Sequence, residues 1–135
     1  MVSLPARSVI PALLLVLAAW SWPADARAES LTCLVSRGNL CFSTGCDNGG
    51  RSQRLSLDLA AGSYRLCPNR YNDQGCTEAP MQFEIHDSAI VGISQSGAEI
   101  AARAVFVNRV TGALSMSLLA AGLSGIDYGN CQIPR

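Results

Sequence analysis

Six cysteines, Cys33, Cys41, Cys46, Cys67, Cys76 and Cys131, follow an apolar leader in a chain of 135 residues, and this limits the available folds more than any other feature. An even cysteine count in a small exported chain marks a disulfide framework, because only an oxidising compartment keeps such bridges closed. The leader supplies the export half of that inference. Arg7 is its only charge before an apolar stretch from Val9 to Trp20. Small residues follow, with Ala26-Arg27-Ala28 offering an A-x-A cleavage site and Ala24-Asp25-Ala26 a second. This is the order of a secretory signal peptide. The stretch is interrupted by Pro11 and falls short of the ~20 apolar residues that a membrane span needs. The expected organisation is a signal peptide over residues 1–28, cleaved after Ala28, and one disulfide-stabilised domain over residues 29–135, periplasmic or secreted and with no membrane span after cleavage.

Cleavage leaves 107 of the 135 residues, one domain's worth. That portion carries eight arginines against nine acidic residues, a formal charge of about −1, so nothing draws it to nucleic acid or to an acidic membrane. All six cysteines stay in it, and six cysteines admit fifteen pairings. Spacing ranks them. Cys41 and Cys46 flank the turn-like FSTG, and Cys67 and Cys76 flank the loop PNRYNDQG. Cys33 and Cys131 remain, and joining them requires the first and last strands to lie side by side.

The chain between them reads as short strands. Leu31–Ser36 is an apolar run suited to a first strand, whereas residues 37–53, dense in Gly, Asn, Asp and Ser, are expected as a loop. Leu55, Leu57 and Leu59 alternate with Ser56 and Asp58, Ala61-Gly62 turns, and Ser63–Cys67 returns as the second arm of a hairpin. Residues 68–80 are expected as polar loop. Met81, Phe83 and Ile85 then alternate with Gln82, Glu84 and His86, and Ala89–Ser94 forms the next strand. Residues 98–109 are ambiguous. Ser96-Gly97-Ala98-Glu99 matches a helix capping box, but Val105, Phe106 and Val107 favour a pleated surface, so a strand is preferred with a short helix over 97–104 as the alternative. Leu114, Met116 and Leu118 alternate with Ser115 and Ser117, Ala120–Gly125 is expected as a connection, and Ile126–Cys131 is a last strand. About eight strands joined by short turns predict an all-β fold, a small antiparallel up-and-down meander closed into an eight-stranded barrel, with a two-sheet sandwich as the alternative. Closure would remove the exposed edges and place the first strand beside the last.

The segment Val105-Phe106-Val107-Asn108-Arg109-Val110-Thr111-Gly112-Ala113-Leu114, with Tyr128-Gly129-Asn130-Cys131 after it, resembles the C-terminal end of small exported proteobacterial proteins that have no assigned function. The resemblance covers about the last thirty residues. It implies the strand reading of this segment and no activity.

Candidate chemistry is sparse, and no catalytic, cofactor-binding or metal-binding residue is expected. His86, the only histidine, would need a free thiolate to form a nucleophilic pair, which an oxidised even set of cysteines does not offer. Cys41-x4-Cys46 and Cys67-x8-Cys76 lack the close C-x2-C spacing of structural zinc. Asn69, Asn72 and Asp73 offer oxygens without an EF-hand's spacing. Asp58, Glu84, Asp87, Glu99 and Asp127 are carboxylates that suit outward strand positions. Arg103 stands out, since it interrupts an apolar run. Its ordinary placement is outward with a buried stem. Strand alternation would instead put it on one face with Val105 and Val107, inside a barrel and near a carboxylate or an anionic ligand. The expected role is a non-catalytic binding or interaction protein with a protein or small-molecule partner. The alternatives are an envelope-associated structural protein without a ligand, or an inhibitor of a secreted enzyme.

Overall fold

The computed structural model describes residues 30–96 and 101–134. The expected signal peptide with its cleavage site after Ala28, Glu99 and most of the proposed capping box lie outside those residues. Nine strands form one antiparallel sheet: β1 (Ser30–Phe42), β2 (Gly45–Asp58), β3 (Ser63–Cys67), β4 (Thr77–Pro80), β5 (Gln82–Ile85), β6 (Ala89–Ser96), β7 (Ala101–Asn108), β8 (Ala113–Ala120) and β9 (Leu123–Gln132). There is no helix among the described residues, so none long and apolar enough to cross a membrane, and residues 101–104 belong to a strand.

The strand order is β4-β3-β2-β1-β9-β8-β7-β6-β5. Its two edge strands are consecutive in the chain and joined by Met81 alone, so the sheet rolls into a nearly closed barrel. Counted around the barrel, β4 and β5 are one broken strand, which reconciles nine assigned strands with the expected eight. The break is the seam: β4 pairs only with β3, and β5 only with β6. Two hydrogen bonds tie it. Met81 N–H donates to the Gly62 carbonyl at 2.8 Å, and the Ser94 hydroxyl donates to the Pro80 carbonyl at 2.5 Å. The junction of first and last strands is no seam at all, since β1 and β9 are in register from Thr32↔Gln132 to Phe42↔Leu123. Cys33–Cys131 bridges that ladder, and Cys41–Cys46 and Cys67–Cys76 are the other two disulfides.

Two stretches expected as loop are strand. Residues 37–53 form the far halves of β1 and β2, running Arg37↔Gly50 to Phe42↔Gly45. They show no apolar alternation because most of this hairpin is solvent-exposed, and what holds it is the Cys41–Cys46 bridge and pairing of β1 to β9 on its other side. Residues 77–80 form β4, a short edge segment whose Pro80 lacks the N–H of an inner strand. The expected connection over residues 120–125 shrinks to a turn between Ala120 and Leu123.

Inside the barrel, alternate residues of each strand meet. Leu31, Val35, Leu55, Leu57, Ile90, Val105, Val107, Leu114 and Met116 are all under 4% exposed, with Cys33 and Met81 among them. Burial of each such side chain stabilises the fold by about 1.5–3 kcal/mol. The register of β1 shifts at Ser36: between Val35 and Arg37 it carries one residue more than β9, which passes from Gly129 to Tyr128, and one fewer than β2, which passes from Gln53 to Gly50. The shift matters beyond it. Val35 faces Gly129 and Gly38 faces Asp127, so after this bulge Gly38, not Arg37, shares the inner face.

Candidate functional site

The barrel interior is apolar through most of its length and becomes charged toward the end that carries the β1–β2 hairpin. Arg103 faces inward there, sharing its side of β7 with Val105 and Val107, which are 1% and 0% exposed. The ordinary outward placement does not hold, because the two-residue period of β7 carries Arg103 to the inner face along with these valines. Its guanidinium carbon lies 5.4 Å from the Tyr64 ring centroid, and Nη1 lies 3.2 Å from the Met116 sulfur. These contacts fix the guanidinium plane but are weak partners for a charge. Nε is buried with no hydrogen-bond partner among the described residues, and so is Oε1 of Gln53 on β2.

Arg51 and Asp127 complete the cluster. Arg51 Nε stands 3.6 Å from Asp127 Oδ1, and each side chain keeps 22% of its surface exposed. The Asp127 carboxylate fits only because Gly38 faces it, as a Cβ at that position would land on Oδ1. Burial raises the Asp127 pKa above the ordinary carboxylate value, against the pull of Arg51 and then Arg103. Arg51 thus contacts the carboxylate directly, while Arg103 acts on it only through the field.

The remaining candidates are accounted for locally. His86 is exposed with Nε2 3.7 Å from Glu84 Oε2. All six cysteine sulfurs are in disulfides, so neither a thiolate nucleophile nor a zinc thiolate can come from them. Asn69 and Asn72 side-chain oxygens accept from the backbone N–H of Tyr71 and Gln74, and Asp73 pairs with Arg54. Asp58 accepts from the Ala61 N–H at 2.9 Å and shapes the β2–β3 turn.

The outer surface holds a feature that strand-by-strand reading misses. Register aligns three rows across β6, β7, β8 and β9: Val91-Phe106-Ser115-Tyr128, Ile93-Ala104-Ser117-Ile126 and Gln95-Ala102-Leu119-Ser124. None of these twelve outward residues is charged, and Ile93, Phe106, Leu119, Ile126 and Tyr128 are 40–61% exposed. Strand spacing and rise make this face roughly 400 Å², well within the size of functional patches on small proteins. Charges gather on the other half of the barrel, where Arg65 faces Glu78, and on the near rim, where Arg37 lies 5.3 Å from the Tyr128 ring centroid. The face was legible only as scattered Ser, Ala and apolar residues. The inner cluster did leave a trace, since Arg51 and Gln53 continue the alternation of Leu55 and Leu57, and Asp127 that of Cys131.

The seam carries a groove of about 690 Å³ lined by Leu59, Met81, Phe83, Ile85, Ile93 and Ser94 among others. Compared with known proteins, the chain matches no family model, no curated protein and no solved structure.

Proposed function

We propose that this is an exported, non-catalytic interaction protein that docks an exported or envelope protein through the uncharged outer face of β6–β9. The observation that carries the reading is that face: twelve adjacent outward positions without a charge and five large hydrophobic side chains exposed on it. A designed-for-solvent sheet surface would intersperse charges of both signs. Three disulfides, one joining the first and last strands, agree with an oxidising compartment and hence with the periplasm or the exterior.

The test places a photocrosslinking residue at Phe106, and at Arg65 on the charged half as control, in cells exporting the full chain. The expected result is a discrete adduct from position 106 that is lost on Ile126→Ser and absent from position 65. Equal adducts at both positions, or none at 106, would defeat the reading. A second reading, inhibition of a secreted enzyme, is favoured by the hairpin tip, where Phe42 is 52% exposed beside the Cys41–Cys46 bridge. A rigid projecting hairpin suits insertion into a cleft. Phe42→Ser would abolish that activity while leaving the 106 adduct intact.

A further inference from the structure

The inner cluster is arranged oddly for a purely structural ion pair. Asp127 has its near contact with Arg51, at 3.6 Å, while Arg103 has no carboxylate within 4.0 Å among the described residues. A half-buried guanidinium held by an aromatic ring and a thioether, with its Nε buried and unpartnered, keeps a charge that no carboxylate contacts directly. Asp47, the next acid along the inner side of β2, is exposed and roughly 13 Å further toward the hairpin tip. The cluster of Arg51, Arg103 and Asp127 thus carries one more positive charge than negative.

We infer that the hairpin end of the barrel binds a small oxyanion, a carboxylate or phosphate group, clamped between Arg103 and Arg51. The guanidinium fork presents parallel N–H donors that match two oxygens of such a group. Tyr64 and Met116 hold the Arg103 fork in place before the ligand arrives, so little side-chain freedom is lost on binding. Solvent reaches the cluster, as the partial exposure of Arg51 and Asp127 shows. Asp127 acts as a resident competitor that occupies Arg51 when no ligand is present. The site is separate from the outer face and stands or falls independently of protein docking there.

The experiment is an NMR titration of the oxidised, secreted protein with acetate and with inorganic phosphate at constant ionic strength, chloride serving as control. The arginine Nε–H resonances are the readout. One of the two anions should shift the Arg103 and Arg51 resonances saturably, and the one that saturates at lower concentration assigns the ligand as carboxylate or phosphate. Arg103→Met, which keeps the stem against Tyr64, should weaken binding at least tenfold. Asp127→Asn, which removes the competitor and leaves both arginines, should strengthen it several-fold. No saturable shift with either anion, binding unchanged by Arg103→Met, or binding not strengthened in Asp127→Asn would overturn the proposal. The Asp127→Asn arm decides the matter by itself if Arg103→Met does not fold.

Discussion

The Cys33–Cys131 bridge allows a quantitative test of how the barrel is closed. Its sequence separation is 98, and the two inner bridges remove 5 and 9 residues, so the loop it closes in the unfolded chain is about 84 residues. In the chain-entropy model a loop of that length contributes about 4.6 kcal/mol, against about 2 kcal/mol for the Cys41–Cys46 bridge with its separation of 5. A domain of this size has only about 5–15 kcal/mol in total. The double variant Cys33→Ala/Cys131→Ala is therefore expected to lose about 4.6 kcal/mol, and slightly more because both sulfurs are buried in the core. Cys41→Ala/Cys46→Ala is expected to lose about 2 kcal/mol, since its hairpin lies outside the core. Urea unfolding followed by far-UV circular dichroism measures both. Tyrosine fluorescence gives a second readout, since Tyr64 is buried in the folded barrel. A Cys33/Cys131 variant no less stable than the Cys41/Cys46 variant would refute the argument. The β1–β9 ladder would then hold the barrel without covalent help.

Leu55→Ala, at 0% exposure, should cost about 2–5 kcal/mol in the same assay, whereas Phe106→Ala on the outer face should stay within about 0.5 kcal/mol; comparable losses would contradict the assignment of inner and outer faces. Gly129→Ala should cost about 1–3 kcal/mol or more, because the new methyl group would land on the Leu34 carbonyl of the neighbouring strand, where only backbone movement can make room. The raised pKa of Asp127 means that the folded chain holds its proton to higher pH than the unfolded chain does. Its contribution to stability is fully present below the ordinary carboxylate value and is lost as pH rises through the raised one. Urea midpoints across mildly acidic pH should therefore fall less steeply for Asp127→Asn than for the parent, and parallel profiles would show that Asp127 does not titrate as described.

How much of this was visible beforehand differs from element to element. The alternation of Leu55, Leu57 and Leu59 and of Leu114, Met116 and Leu118 announced half-buried strands, because the two-residue period is a property of one strand against one core. Spacing also ranked the cysteine pairs that the structure joins. The hairpin over residues 37–53 was illegible for the converse reason, since its tip over residues 42–50 is exposed on both faces and carries no period. Segment 77–80 was missed because its four residues, Thr-Glu-Ala-Pro, are mostly exposed and carry no apolar alternation.

The strand propensities, the turn residues and the even set of cysteines determined an all-β meander with its ends brought together, each through local chemistry readable along the chain. Only the tertiary structure decided that the discontinuity falls at Met81, that the Ser36 bulge brings Gly38 beneath Asp127, and that Arg103 sits inward without a carboxylate of its own. It alone set Ile93, Phe106, Leu119, Ile126 and Tyr128 together on one uncharged face. Those outcomes depend on register between strands, which no single strand's pattern carries, and a shift of one residue would turn each of those side chains to the opposite side of the sheet.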